Sequence, residues 1–162
     1  MNSFSLSSID VTNGIKAGRP YGGITFTWHR DFRCNIQVRR YESDRILGLC
    51  VKMNCSSILI INVYLPVACH EKYEEYIMCL GILSYILESH EEDHVCILGD
   101  CNATPGSPGF NEICDMLHEN NVMFRYTDIL PDNTYTHVNV CSWRVHGWII
   151  LQCPMFCPSL YG

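Results

Sequence analysis

The chain holds eleven cysteines in 162 residues but no Cys-x-x-Cys pair. Without ligands at that spacing a zinc ribbon is not expected. No basic segment leads into an apolar stretch at the start, where "MNSFSLSSIDVTNGIKAG" is polar and small, so no secretory signal is expected. The longest apolar runs, such as "SILIINVYLP" and "YIMCLGILSYIL", are too short or too interrupted to span a bilayer. Repeats, low-complexity tracts and obvious linkers are missing as well. Charged residues are few, at 17% against 48% hydrophobic, which fits one globular domain and argues against disorder. The odd cysteine count and the polar start favour reduced thiols. The expectation is an intracellular protein, nuclear or cytoplasmic, with no membrane and no obligate protein partner. Cys79, Cys96 and Cys114 sit inside apolar runs, where a thiol packs as a small hydrophobe.

The net charge of −6 by itself disfavours a nucleic-acid partner, but its distribution is uneven. Up to Lys52 there are eight Lys and Arg against four Asp and Glu, and beyond it three against thirteen. A basic front and an acidic back suit a protein that meets an anion on one side and holds a divalent cation on the other. Chance segregation over solvated faces gives the same pattern.

Element by element, "YGGITFTW" after "GRP" is a turn feeding a strand. "DRILGLCVKM" and "SSILIINVYLP" are two β-rich runs at hairpin-like spacing around Asn54-Cys55-Ser56, the second stopped by Pro66. Tyr73, Tyr76, Ile77, Leu80, Leu83 and Leu87 recur as a helical stripe between Glu71 and Ser89. "HVCILGD" is a short buried strand. Pro105-Gly106-Ser107 is a turn. Phe110, Ile113, Cys114 and Leu117 mark a second helix ending near Asn120-Asn121, and "TYTHVNV" is a further strand. This order predicts an α/β layered protein. The last sixteen residues carry no charge, and either a buried terminal strand or sequence outside the fold accounts for them.

Two stretches carry candidate chemistry. His90-Glu91-Glu92-Asp93-His94 fits H-E-x-x-H, which works when one helix carries both His to zinc and the Glu acts on the bound water. The apolar stripe fades after Leu87 and a strand begins at Val95, so the three acids read as a solvated helix exit. Zinc proteolysis stays as the lesser alternative. Gly99-Asp100-Cys101-Asn102 follows a buried strand, at the carboxyl end where α/β sheets place their sites. Asp100 and Asn102, two apart, are expected to leave the strand on one side. The carboxylate can orient or deprotonate water and the amide can hold a phosphate oxygen. The same residues are also ordinary turn formers.

Together "GRPYGG", "SDRILGLCV", "INVYLP", "LGDCNATP" and "TYTH" resemble the endonuclease/exonuclease/phosphatase superfamily, and within it the endonuclease domain of non-LTR retrotransposons. The resemblance implies part of a two-sheet, four-layer DNase-like α/β sandwich over residues 14–146. Residues 1–13 are then a poorly determined start and 147–162 an apolar tail of doubtful homology. It implies Mg²⁺-dependent nicking of DNA. Asp100 would activate the attacking water, while Asn102 and Tyr64 hold the scissile phosphate and Arg19 and Tyr21 lie toward the DNA.

The family's opening strands, with an Asn and a metal-binding Glu, precede the "GRPYGG" segment and have no counterpart here, and its closing Ser-Asp-His is not found. Ser142-Trp143-Arg144-Val145-His146 stands where the branch often reads "SWLDH", with Val145 at the Asp. Neither His146 nor His137 takes the place of the closing His. Each such group contributes about 10²–10⁴-fold, so the chain alone is expected to be inactive, a truncated and degenerate copy. A DNA- or phosphate-binding remnant without catalysis is the main alternative.

Overall fold

The computed structural model describes residues 1–6, 23–104 and 106–122, together with the backbone of three strands at 137–139, 142–144 and 147–151. Its centre is a hairpin of β4 (Ile46–Lys52) and β5 (Ser57–Tyr64), in antiparallel register with Ile46 opposite Val63 and Lys52 opposite Ser57. From β5 the chain enters helix α1 (Tyr73–Ser89) and returns as β6 (His94–Asp100), parallel to β5. Parallel neighbours need a crossover of this length, and α1 supplies it.

β3 (Asn35–Arg40) flanks β4, and β9 (Gly147–Leu151) flanks β6, giving a five-stranded sheet in the order β3-β4-β5-β6-β9. β1 (Asn2–Leu6) and β2 (Ile24–Trp28) form a separate antiparallel ribbon, and β2 packs over β4 and β5. β7 (His137–Asn139) pairs with β8 (Ser142–Arg144) in a third, short sheet. Helix α2 (Pro108–Glu119) follows β6 and lies beside α1.

The sheet separates two unlike faces. On β5, Leu59, Ile61 and Val63 are buried and join the core, whereas Ile60, Asn62 and Tyr64 are half-buried on the other side, the period-two alternation of a strand. Tyr76, Cys79, Leu80, Leu83, Ile86 and Leu87 of α1 close over the first face. The stripe is turned slightly from the sequence pattern: Ile77 is exposed, and Cys79 and Ile86 take core places. Cys79 and Cys96 are buried, as their apolar settings imply, and Cys114 is half-buried. Across the second face, β2 and the sheet enclose an apolar cavity of about 430 Å³ bordered by Trp28, Leu49, Val51, Ile60 and Leu98. Helices, sheet and ribbon thus stack as layers of an α/β sandwich. Two stretches outside the expected domain take part in pairing. Residues 2–6 form β1, and the first five residues of the uncharged tail form β9.

Local chemistry explains the helix ends. Ser107 caps α2 by accepting the Phe110 N–H at 3.3 Å, and Pro108 opens the first turn, where no N–H is needed. Asn120 closes it by donating to the Met116 carbonyl at 2.8 Å and to Ser84 Oγ of α1 at 2.9 Å. α1 leaves its helical path at His90, which is extended at φ −71°, ψ 149°. Tyr76, fully buried in α1, donates its hydroxyl to the Gly109 carbonyl of α2 at 2.8 Å.

Three stability predictions follow from this packing. Tyr76→Phe strands the Gly109 carbonyl and is expected to cost about 1–2 kcal/mol, seen as a lower urea midpoint with an unchanged m-value. Gly99 has φ +128°, and a Cβ there would sit 2.0 Å from the Val63 carbonyl oxygen. Gly99→Ala is therefore expected to cost about 2–4 kcal/mol. At Gly81 in α1 an added Cβ meets nothing within 4 Å. Gly81→Ala is expected to stabilise by about 0.5–1 kcal/mol in the same measurement.

Candidate phosphodiester site

The parallel pairing of β5 and β6 brings the separate sequence motifs together. Tyr64 and Asp100 are Cα partners at the carboxyl ends of the two strands. Paired residues share a face, so both side chains belong to the face opposite the helices. The ladder runs one bond further, from the Leu65 N–H to the Asp100 carbonyl at 2.8 Å. Both residues are half-buried, as is Asn102. A carboxylate, a phenol and a carboxamide therefore converge at one sheet rim.

Asn102 reaches this rim by a turn, not by strand alternation. β6 ends at Asp100, and Asn102 lies in the left-handed region at φ 47°. Its backbone N–H donates to Asp100 Oδ1 at 2.9 Å, an Asx turn that fixes the carboxylate. Its Nδ2 donates to the Leu65 carbonyl at 2.7 Å, tying the exit of β6 to the exit of β5. The expected shared side of positions i and i+2 is thus corrected in cause: a tight turn replaces the strand spacing. An amide nitrogen carries two hydrogens, so one remains for a ligand, and Asp100 keeps Oδ2 outside the turn.

Cys101, between them, is 3% exposed. Burial first, and then the Asp100 charge, pushes its thiol up to about 12. At neutral pH it is a packing group rather than a nucleophile.

Arg45 is a part of this rim to which sequence reasoning gave no role. The β4–β5 register, continued one residue, sets Arg45 opposite Tyr64, and the Tyr64 N–H donates to the Arg45 carbonyl at 2.9 Å. The Arg45 side chain is 14% exposed and donates from Nε to Glu75 Oε1 of α1 at 2.6 Å. Its Nη1 donates to the Tyr64 carbonyl at 3.4 Å, and the guanidinium carbon lies 5.8 Å from the Tyr64 ring centre. One cation thereby joins the start of β4, the end of β5 and the first turn of α1. The signal lay in hairpin counting, since a charged residue directly before an apolar strand must meet the last residue of its partner.

Three arginines of the basic front are used within the described residues. Arg39 pairs with Glu92, Arg45 with Glu75, and Arg40 stacks over Phe4 at 4.7 Å. Arg19 and Tyr21 lie outside the described residues, as do Val145 and His146. Among the described residues no three His, Cys, Asp or Glu side chains come together to hold a metal ion. These residues alone do not form the Mg²⁺ site that the resemblance implies.

The H-E-x-x-H pattern is broken by structure. α1 ends at Ser89, His90 is extended, and His94 opens β6, so the two His do not share a helical face. The solvated-exit expectation also needs correction, because Glu92 is buried at 6% exposure. Asp93 is exposed and accepts from both the N–H and the hydroxyl of Ser57, at 2.7 and 2.9 Å.

No family model matches the sequence, and no curated protein does. Solved structures do match the fold. The endonuclease domain of TRAS1, a telomere-specific non-LTR retrotransposon, is similar with a TM-score of 0.56 and 10% identity, over 73% of this chain and 54% of that one. A 3′ phosphatase, NExo from Neisseria, bound to product DNA hairpin, is similar with a TM-score of 0.54 and 14% identity, over 74% of this chain and 60% of that one. The chain thus spans a little over half the length of these proteins. At such identities the likeness establishes architecture alone, and that architecture is the DNase-like α/β fold to which the motifs of the sequence pointed.

Proposed function

We propose that the chain is part of a DNA-nicking endonuclease domain of retrotransposon type. Its Tyr64–Asp100–Asn102 rim receives the phosphodiester backbone. The observation that carries this reading is the in-register meeting of Tyr64 and Asp100 at the ends of parallel strands, with Asn102 bonded to Asp100 and to the Leu65 carbonyl. The Tyr64 hydroxyl and the second Asn102 amide hydrogen supply neutral donors for a phosphate oxygen, and Asp100 supplies a proton acceptor for water. The nature of the two similar structures, an endonuclease and a DNA-bound phosphatase, supports DNA as the partner. In an intact domain Mg²⁺ would balance charge on the phosphate, and the described residues here do not suffice to hold it.

On this reading the chain binds but does not turn over. Val145 can neither orient a base nor ligate a cation. The internal use of Arg39 and Arg45 also leaves less free positive charge than the composition suggests. Binding is therefore expected to be weak and salt-sensitive.

The test is fluorescence anisotropy of a labelled oligonucleotide, single- and double-stranded, across a salt series. Affinity is expected to fall as salt rises, and Tyr64→Phe is expected to weaken binding by roughly fivefold, about 1 kcal/mol for one hydrogen bond. No binding at low salt, or binding indifferent to Tyr64→Phe, would refute the proposal. Supercoiled plasmid with Mg²⁺ is expected to stay intact. Nicking that disappears in Asp100→Ala would instead show the chain to be an active enzyme.

A further inference from the structure

The outer side of α1 presents a second surface, independent of the nucleic-acid reading. A helix lying on a sheet normally buries one apolar stripe and gives the opposite stripe to water. In α1 the core stripe is Tyr76, Cys79, Leu80, Leu83, Ile86 and Leu87. The helical repeat then points Glu74, Ile77, Met78, Gly81, Tyr85 and Glu88 directly away from the core. Ile77 is 38% exposed, Met78 67% and Tyr85 68%. Glu74, Gly81 and Glu88 are exposed as well. Helix α2 reaches α1 through Tyr73, Tyr76 and Ser84, off this stripe. Single exposed apolar side chains are ordinary, but three within about two turns of one stripe form a patch.

Gly81, at the middle of the stripe, is a second and independent observation. Glycine weakens a helix interior. The packing of this chain has no need of it, since a Cβ there would meet nothing within 4 Å. The missing side chain leaves a notch between Met78 and Tyr85, open outward, where another backbone can approach closely. Apolar anchors spaced i, i+3 and i+7 around such a notch are the pattern by which one helix receives another.

Charge selects the occupant. Glu74 and Glu88 bound the patch at its two ends, about 21 Å apart along the helix axis. α1 contains no basic residue, and among the described residues neither glutamate has an ion-pair partner. A second copy of α1 is repelled in either direction: antiparallel pairing sets Glu74 against Glu88, and parallel pairing sets each against itself. An anionic lipid surface is repelled for the same reason. A helix with lysine or arginine at both ends of an apolar stripe is matched. We infer that the outer stripe of α1 docks an amphipathic helix of a partner protein, with its basic ends on Glu74 and Glu88 and its apolar stripe over Met78, Gly81 and Tyr85.

The experiment is a fluorescence-anisotropy titration of a labelled probe peptide with the full chain. The probe is a helix of about five turns, with alanine and leucine along one stripe and lysines at the spacing of Glu74 and Glu88. Saturable binding is expected, and at least roughly tenfold weaker binding when glutamates replace the lysines. No saturation, or equal affinity for the two peptides or for a scrambled sequence of the same composition, overturns the proposal. Met78→Glu is expected to weaken binding at least roughly tenfold, and undiminished affinity in that variant overturns the proposal. Gly81→Leu separates docking from simple stickiness. It adds apolar surface and is expected to leave the urea midpoint no lower, yet to weaken binding roughly tenfold by filling the notch. A folded Gly81→Leu variant that binds as well or better overturns the proposal. So does sedimentation that shows a dimer of the chain dissolved by Met78→Glu, which assigns the patch to a second copy. Flotation with phosphatidylcholine vesicles that is lost in Met78→Glu also overturns it and assigns the patch to a membrane.

Discussion

The parallel contact between β5 and β6 is the constraint on which the rest of the molecule depends. It sets Tyr64 against Asp100 and carries the core residues Leu59, Ile61, Val95 and Ile97 under α1. At the rim it is unusually close. Gly99 faces Val63 with a backbone geometry that leaves no room for a side chain, and the next residue is Asp100. The carboxylate is thus placed by a backbone approach, not by a flexible loop. The Asx turn at Asn102 and the Arg45 cation then brace this placement from both sides. Sites built on strand ends gain precision in this way, because the supporting bonds belong to the sheet.

The two ends of β6 contrast in their electrostatics. At the carboxyl end the charged groups are half-buried and bonded. At the amino end the Glu92 carboxylate is buried, held by the Cys50 thiol, backbone N–H groups and a more distant guanidinium. The short helix-to-strand connection, four residues between Ser89 and His94, produces this burial by carrying Glu92 inward while Glu91 and Asp93 stay exposed.

Much of the architecture was legible in the residues. β4, β5 and β6 are continuous apolar runs of strand length, and Ser107-Pro108 and Asn120-Asn121 mark the bounds of α2. At the rim, Asp100 was legible as the end of a strand-like run and Tyr64 was tied to it by the family resemblance alone; their register is what the structure adds. β3 was not: in "NIQVRR" just Ile36 and Val38 are apolar, and an edge strand needs no more. The burial of Glu92 was hidden because composition marks an acid as exposed, and long-range pairing decides otherwise. Arg45 was quoted within a motif, yet its role depends on register, which no residue type reveals. Asn102 was expected from alternation along the strand, but alternation stops where the strand stops and a turn positions it instead.

β3 has one more consequence. It is the outer strand of the sheet, with exposed Asn35, Gln37, Arg39 and Arg40 and two partly covered aliphatic residues. An unpaired border of peptide groups invites foreign chains to dock and extend the sheet. Adjacent guanidiniums at its end repel a second copy laid alongside in the same orientation, so this protein carries its own guard against fibrous self-association. Among the described residues the opposite border is β9, whose sequence carries no charge and so offers no such guard.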